Sequence, residues 1–149
     1  MVHQPGSAGH ILEILRDGSP RTKRDLAVLT GQARTTVAQR LAVLVAAGLV
    51  RETAHAAATG GRPSAAFEFD GDNLIVLAVD LGANHATYGV TNLAGVVLAH
   101  ATDACRVSDG PQVIMARVFE RLEQLREQAG VSDVGVMAVG IGLPGPVEQ

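Results

Sequence analysis

The chain reads as an α+β protein: an N-terminal winged helix-turn-helix, then the first part of an α/β layer domain. Three observations predict this. Residues 20–64 run as helix, tight turn, second helix with a polar leading edge, and a short basic hairpin. Leu74 to Val79 is an unbroken apolar, strand-like run ending at Asp80. Further strands, a long amphipathic helix and another apolar strand follow, in the order of a layered α/β unit. The expected domains are 1–72 and 73–149.

The first helix is expected over Ala8 to Asp17, with Ile11, Ile14 and Leu15 on one face and Gly18 as its stop. Thr22 is the natural cap of the second helix, with Asp25 in its first turn and Leu26 and Leu29 facing inward. That helix ends at Thr30-Gly31. A third runs from Arg34 to Ala47, where Val37, Leu41, Leu44 and Val45 make an apolar stripe and Gly48 closes the end. Ala33 falls at its N-cap, where Ser or Thr would have accepted a backbone N–H.

With Val37 and Leu41 inward, Arg34, Thr35, Thr36, Gln39 and Arg40 crowd the leading half of the outer face. In a helix-turn-helix this end meets base edges. Arg forks onto guanine, Gln onto adenine, and Thr touches a phosphate or a thymine methyl. The hairpin is Leu49 to Thr53 paired with Ala65 to Phe69, and its tip carries Gly60-Gly61-Arg62-Pro63. Arg62 is placed to reach a phosphate or a narrow minor groove. Double-stranded DNA is the expected partner. Arg34→Ala and Gln39→Ala are expected to relax specificity at single base pairs, and Arg62→Ala to weaken all sequences alike.

Charge agrees with this division. Net charge is −3 over 149 residues, yet residues 1–64 hold eight Arg/Lys against four acids and the remainder four Arg against eleven acids. A basic first half on an acidic chain is what phosphate binding requires. At 47% hydrophobic the chain can build a packed core, made of aliphatic residues because aromatics are only 3% and Trp is absent. A single cysteine, Cys105, excludes an internal disulfide and suits a reducing compartment. No signal peptide is evident, and the longest apolar run is far short of the ~20 residues a membrane span needs. A cytoplasmic protein with no membrane partner is expected.

In the second part, Leu74 to Leu81 is a strand, followed by strands over Ala86 to Thr91 and Val96 to Ala101, joined by the turn Asn92-Leu93-Ala94-Gly95. After Gly110-Pro111 comes a helix with Ile114, Val118, Leu122, Leu125 and Ala129 in one stripe. Val134 to Leu143 then reads as a buried strand. Asp80 at a strand end, followed by Gly82, is placed either to hold a metal-bound water beside a phosphate or simply to cap a turn. His55 beside the wing has no His or Cys at ligand spacing, so no metal site is expected.

The order helix-turn-helix, Gly-Gly-Arg-Pro wing, Val-Asp-Leu-Gly strand end, Leu-Ala-Gly turn and Gly-Ile-Gly-Leu-Pro-Gly-Pro-Val resembles the ROK family (repressors, open reading frames, kinases) in its xylose-repressor-like branch. The resemblance spans nearly the whole chain from Gly9. It implies an actin-like ATPase (ribonuclease-H-like) lobe from Leu74 onward, with Asp80 and Gly82 matching the family's first phosphate motif. Ala83-Asn84 stand where kinase members carry Gly-Thr or a close equivalent, which weakens the phosphate grip. The family's catalytic Asp, most of its sugar-contacting residues and its zinc-binding His/Cys cluster match nothing up to residue 149. No catalytic residue and no cofactor are therefore expected here, and zinc or a sugar effector only in a missing C-terminal part. The implied function is a sugar-responsive transcriptional regulator, a repressor acting as a homodimer or higher homo-oligomer. The rivals are an ATP-dependent sugar kinase and a protein-binding winged helix. The sheet that Val134 to Leu143 enters lacks later neighbours, so the chain is expected to be a fragment whose open strand edges favour association.

Overall fold

The structure, a computed structural model, describes residues 6–54, 65–143 and 145. It divides into two compact units, Met1–Gly71 and Asp72–Gln149. In the first, helices α1 (Ala8–Leu15), α2 (Lys23–Thr30) and α3 (Arg34–Ala46) join strands β1 (Arg21–Thr22), β2 (Val50–Ala54) and β3 (Ala65–Phe69). The strands form an antiparallel sheet in the order β1-β3-β2.

Local chemistry sets the helix ends. Ser7 caps α1 by accepting from the His10 N–H at 3.2 Å. At α2, Thr22 and Asp25 cap each other: Thr22 N–H donates to Asp25 Oδ2 (2.9 Å) and Asp25 N–H donates to Thr22 Oγ1 (3.2 Å). Gly31 takes the left-handed conformation, φ +68°, that turns the chain toward α3. Before α2, the Arg21 guanidinium pairs with Asp17 and donates to the carbonyl of Ile14 at 3.0 Å. The hydrogen bonds that Asp17 accepts from the Arg21 guanidinium and from the Ser19 N–H hold its carboxyl well below the usual carboxylate range.

Ile11, Leu15, Leu26, Val37, Leu41, Leu44, Val50 and Phe67 close into one buried cluster. Two inward assignments fail. Leu29 is 55% exposed, because it lies one turn beyond Leu26 and outside the strip that α1 and α3 cover. Val45 is 41% exposed: in the last turn of α3 it is rotated about 100° from Leu44 and leaves the cluster. Strand β1 had no signal in the sequence, since two residues carry no periodicity. Its existence depends on pairing with Ala66 and Phe67. Across the β2–β3 pair, Arg51 Nε meets Glu68 Oε1 at 2.6 Å in direct register.

The second unit holds β4 (Leu74–Leu81), β5 (His85–Asn92), β6 (Val97–Ala104), a 3-10 turn (Val107–Asp109), α4 (Pro111–Gln128) and β7 (Gly135–Gly142). The sheet order is β6-β5-β4-β7, antiparallel except for the β4–β7 pair. Alternate residues Ile75, Leu77, Val79 and Leu81 of β4 face Ile114, Val118, Leu122 and Leu125 of α4 within one core. Asn92 is buried at the β5–β6 turn, and its side chain is satisfied on both ends. Its Oδ1 accepts from Val96 N–H (2.8 Å) and its Nδ2 donates to Asp72 (2.6 Å).

Strand β7 corrects an expectation. Its apolar sequence predicts a buried strand, but all eight residues are exposed. Helix α4 lies over β5 and β6, leaving Met137 and Val139 more than half exposed on the sheet's last strand. Among the described residues, no helix is long and apolar enough to cross a membrane.

Candidate nucleic-acid interface

Helix α3 starts where its sequence requires. Ala33 is extended (φ −64°, ψ 144°), with no side-chain cap, and its carbonyl accepts the Val37 N–H at 3.1 Å. Burial of Val37, Leu41 and Leu44 fixes which face points out. Arg34, Thr35 and Gln39 are exposed; Thr36 and Arg40 lie at the flanks, half-buried. Ala42, Val43 and Ala46 continue the exposed face beyond Gln39, so polar contact groups are confined to the first two turns. The Arg40 Nε is buried with no hydrogen-bond partner among the described residues. Arg62 and the Gly60-Gly61-Arg62-Pro63 tip lie outside the described residues, as does His55.

Two cations beside this helix belong to the basic excess of residues 1–64 but to no sequence motif. Lys23 and Arg24 open α2, both exposed, and Lys23 Nζ sits 5.3 Å from the centre of the Phe67 ring. Helical spacing gave no signal for them. Only the packing of α2 against α3 and β3 brings them toward Arg34.

In the second unit, Asp80 is exposed at the C-terminal end of β4, in register with Gly142 of β7. A Cβ on Gly142 would stand 2.7 Å from Asp80 Oδ1, so the bare glycine makes room for that carboxylate. The Gly82 N–H donates to the His85 carbonyl at 2.8 Å and is spent inside the turn. A cavity of about 370 Å³ adjoins this turn, lined by Leu81, Gly82, Cys105, Pro111, Ile114, Met115 and Leu143. Such an apolar wall offers a sugar or a phosphate few hydrogen-bond partners. Among the described residues, no group of three or more His, Cys, Asp or Glu side chains is placed to hold a metal ion.

Residues 8–51 match the family model described as winged helix-turn-helix DNA-binding. By that match the first unit is a winged helix-turn-helix of the DNA-binding type. A relative from Caldicellulosiruptor sp. (strain Rt8B.4) is 25% identical over 139 residues. The xylose repressors of Caldicellulosiruptor bescii and Bacillus subtilis (strain 168) are 21% and 23% identical, over 93% and 92% of this chain. The chain spans 35% of the length of each of these relatives. Among solved structures, a ROK family transcriptional regulator, described as a homolog of the E. coli MLC protein, superposes with a TM-score of 0.68 at 22% identity. That match covers 93% of this chain and 35% of the other. The chain is thus similar in sequence to xylose repressors, and it shares its fold, with the mixed sheet of its second unit, with part of that ROK family regulator.

Proposed function

We propose that this protein is a sequence-specific DNA-binding transcriptional regulator, a repressor, that responds to a sugar or sugar derivative and acts in the cytoplasm as a homodimer. The observation that carries the proposal is the exposed leading half of α3, where Arg34, Thr35 and Gln39 stand clear of the core on a winged helix-turn-helix. Similarity to xylose repressors supports the sugar response. In this reading α3 enters the major groove, Thr35, Thr36, Gln39 and Arg40 supply contacts along it, and Arg62 on the wing grips backbone or minor groove. Two heads on a dimer meet paired half-sites, and effector binding releases DNA by favouring a conformer in which their spacing no longer fits.

The test is binding to the duplex upstream of the protein's own gene, across a salt series, with and without candidate sugars. Gln39→Ala is expected to relax discrimination at one base pair by about 1–3 kcal/mol. Arg62→Ala is expected to weaken every sequence alike. A loss from Gln39→Ala as sequence-blind as that from Arg62→Ala would remove the recognition-helix assignment. Failure of every sugar tested to release a duplex bound by the full-length protein would remove the effector.

A further inference from the structure

A cleft of about 560 Å³ opens in the first unit, lined by Thr22, Lys23, Arg24, Arg34 and Ala65. Three cations therefore converge from the starts of two helices, beside the first residue of β3. None of the three makes an ion pair among the described residues. Lys23 and Arg24 are exposed, and Lys23 rests on the Phe67 ring, which orients its ammonium without neutralising it. The one acid on α2, Asp25, is engaged by the Thr22 N–H and hydroxyl (2.9 and 2.7 Å) in the capping box.

We infer that this cleft is a phosphodiester clamp, in which Lys23, Arg24 and Arg34 hold the DNA backbone. The inference rests on the DNA-binding reading above and deepens it. Arg34 changes role: it becomes a backbone contact, and base reading passes to Thr35 and Gln39 farther along the exposed face. The geometry favours this because a guanidinium that shares a cleft with two other cations meets its strongest partner in a phosphate, which accepts from several donors at once. A lone guanine edge offers two acceptors and no charge. The first helix of a helix-turn-helix also runs across the backbone, where the start of α2 would lie.

The experiment compares the full chain with Lys23→Ala/Arg24→Ala, Arg24→Gln and Gln39→Ala on two duplexes, the upstream sequence and a scrambled one, over a salt series. Each phosphate contact contributes about 0.9 to the slope of log affinity against log salt, so the double variant should lose about 2 from the slope and Arg24→Gln about 1. Both duplexes should weaken by the same factor, whereas Gln39→Ala should lower only the upstream one. Arg24→Gln keeps the Lys23–Phe67 contact, so helix content by circular dichroism should match the parent. An unchanged slope in both cation variants, or a loss confined to the upstream duplex, overturns the clamp. Saturable calorimetric binding of inorganic phosphate, abolished in the double variant while its DNA slope is unchanged, would make the cleft a free-anion site instead. If the parent chain binds neither duplex at low salt, the DNA-binding reading itself fails and the clamp with it.

Discussion

Replacing Ala33 by serine tests the start of the recognition helix. Ala33 already has the extended backbone of a capping residue, its carbonyl accepts the first helical bond from Val37, and its methyl group is exposed. Only the side-chain acceptor is missing, whereas Ser7 and Thr22 supply one to α1 and α2. A serine hydroxyl there would accept from the N–H of Thr35 or Thr36. The reverse substitution costs about 0.5–2 kcal/mol at ordinary N-caps, so Ala33→Ser should stabilise the first unit by about 1 kcal/mol. In a unit of this size about 1 kcal/mol raises Tm by about 4–8 °C. The protein has one tyrosine and no tryptophan, and Tyr88 is buried in the second unit. Tyrosine emission therefore reports the second unit, while ellipticity at 222 nm follows both. The expected result is a later helical transition with the tyrosine transition unmoved. A helical transition that stays put or falls would show that the backbone at residue 33 is not a cap and that α3 begins elsewhere.

Other substitutions separate the core from positions that merely look apolar. Leu26→Ala should cost about 2–5 kcal/mol in urea unfolding, and Leu29→Ala well under half as much, since only Leu26 is fully buried. Equal losses would contradict the packing of α2. In the second unit, Leu125→Ala should likewise cost about 2–5 kcal/mol and shift the Tyr88 transition without disturbing the first unit. The Asp17 carboxyl, held low first by Arg21, contributes stability above its unfolded pKa and loses it as pH falls toward the folded value. Asp17→Asn should therefore lower the urea midpoint at neutral pH and flatten the acid limb below about pH 4, variant and parent converging as pH falls. An acid limb as steep as the parent's would show that the pair does not persist in solution.

The order and kind of elements were legible in the residues because the signals are local. Helix-period stripes mark α1, α3 and α4, and the Thr22/Asp25 pair marks the start of α2. An apolar run closed by Asp80 marks β4, whose bounds agree with its sequence assignment. The outer face of α3 was legible for the same reason: once Val37 and Leu41 are inward, helical geometry sends Thr35 and Gln39 outward. Periodicity does not say where a covering surface ends. Leu29 and Val45 continue an apolar stripe past the area their neighbours reach, and β7 has a core strand's composition on a face that α4 does not cover.

What sequence alone determined is therefore the identity of the longer elements and the outward face at the start of α3, since both follow from bonds and spacing within a few residues. Tertiary structure decided the rest. It brought two residues into β1 by pairing them with β3, and set Asp80 against a glycine on a strand some sixty residues later. It also gathered Lys23, Arg24 and Arg34 around one cleft. These placements depend on how helices and strands pack across long stretches of chain, and no local pattern of side chains encodes the distance between two cations on different helices.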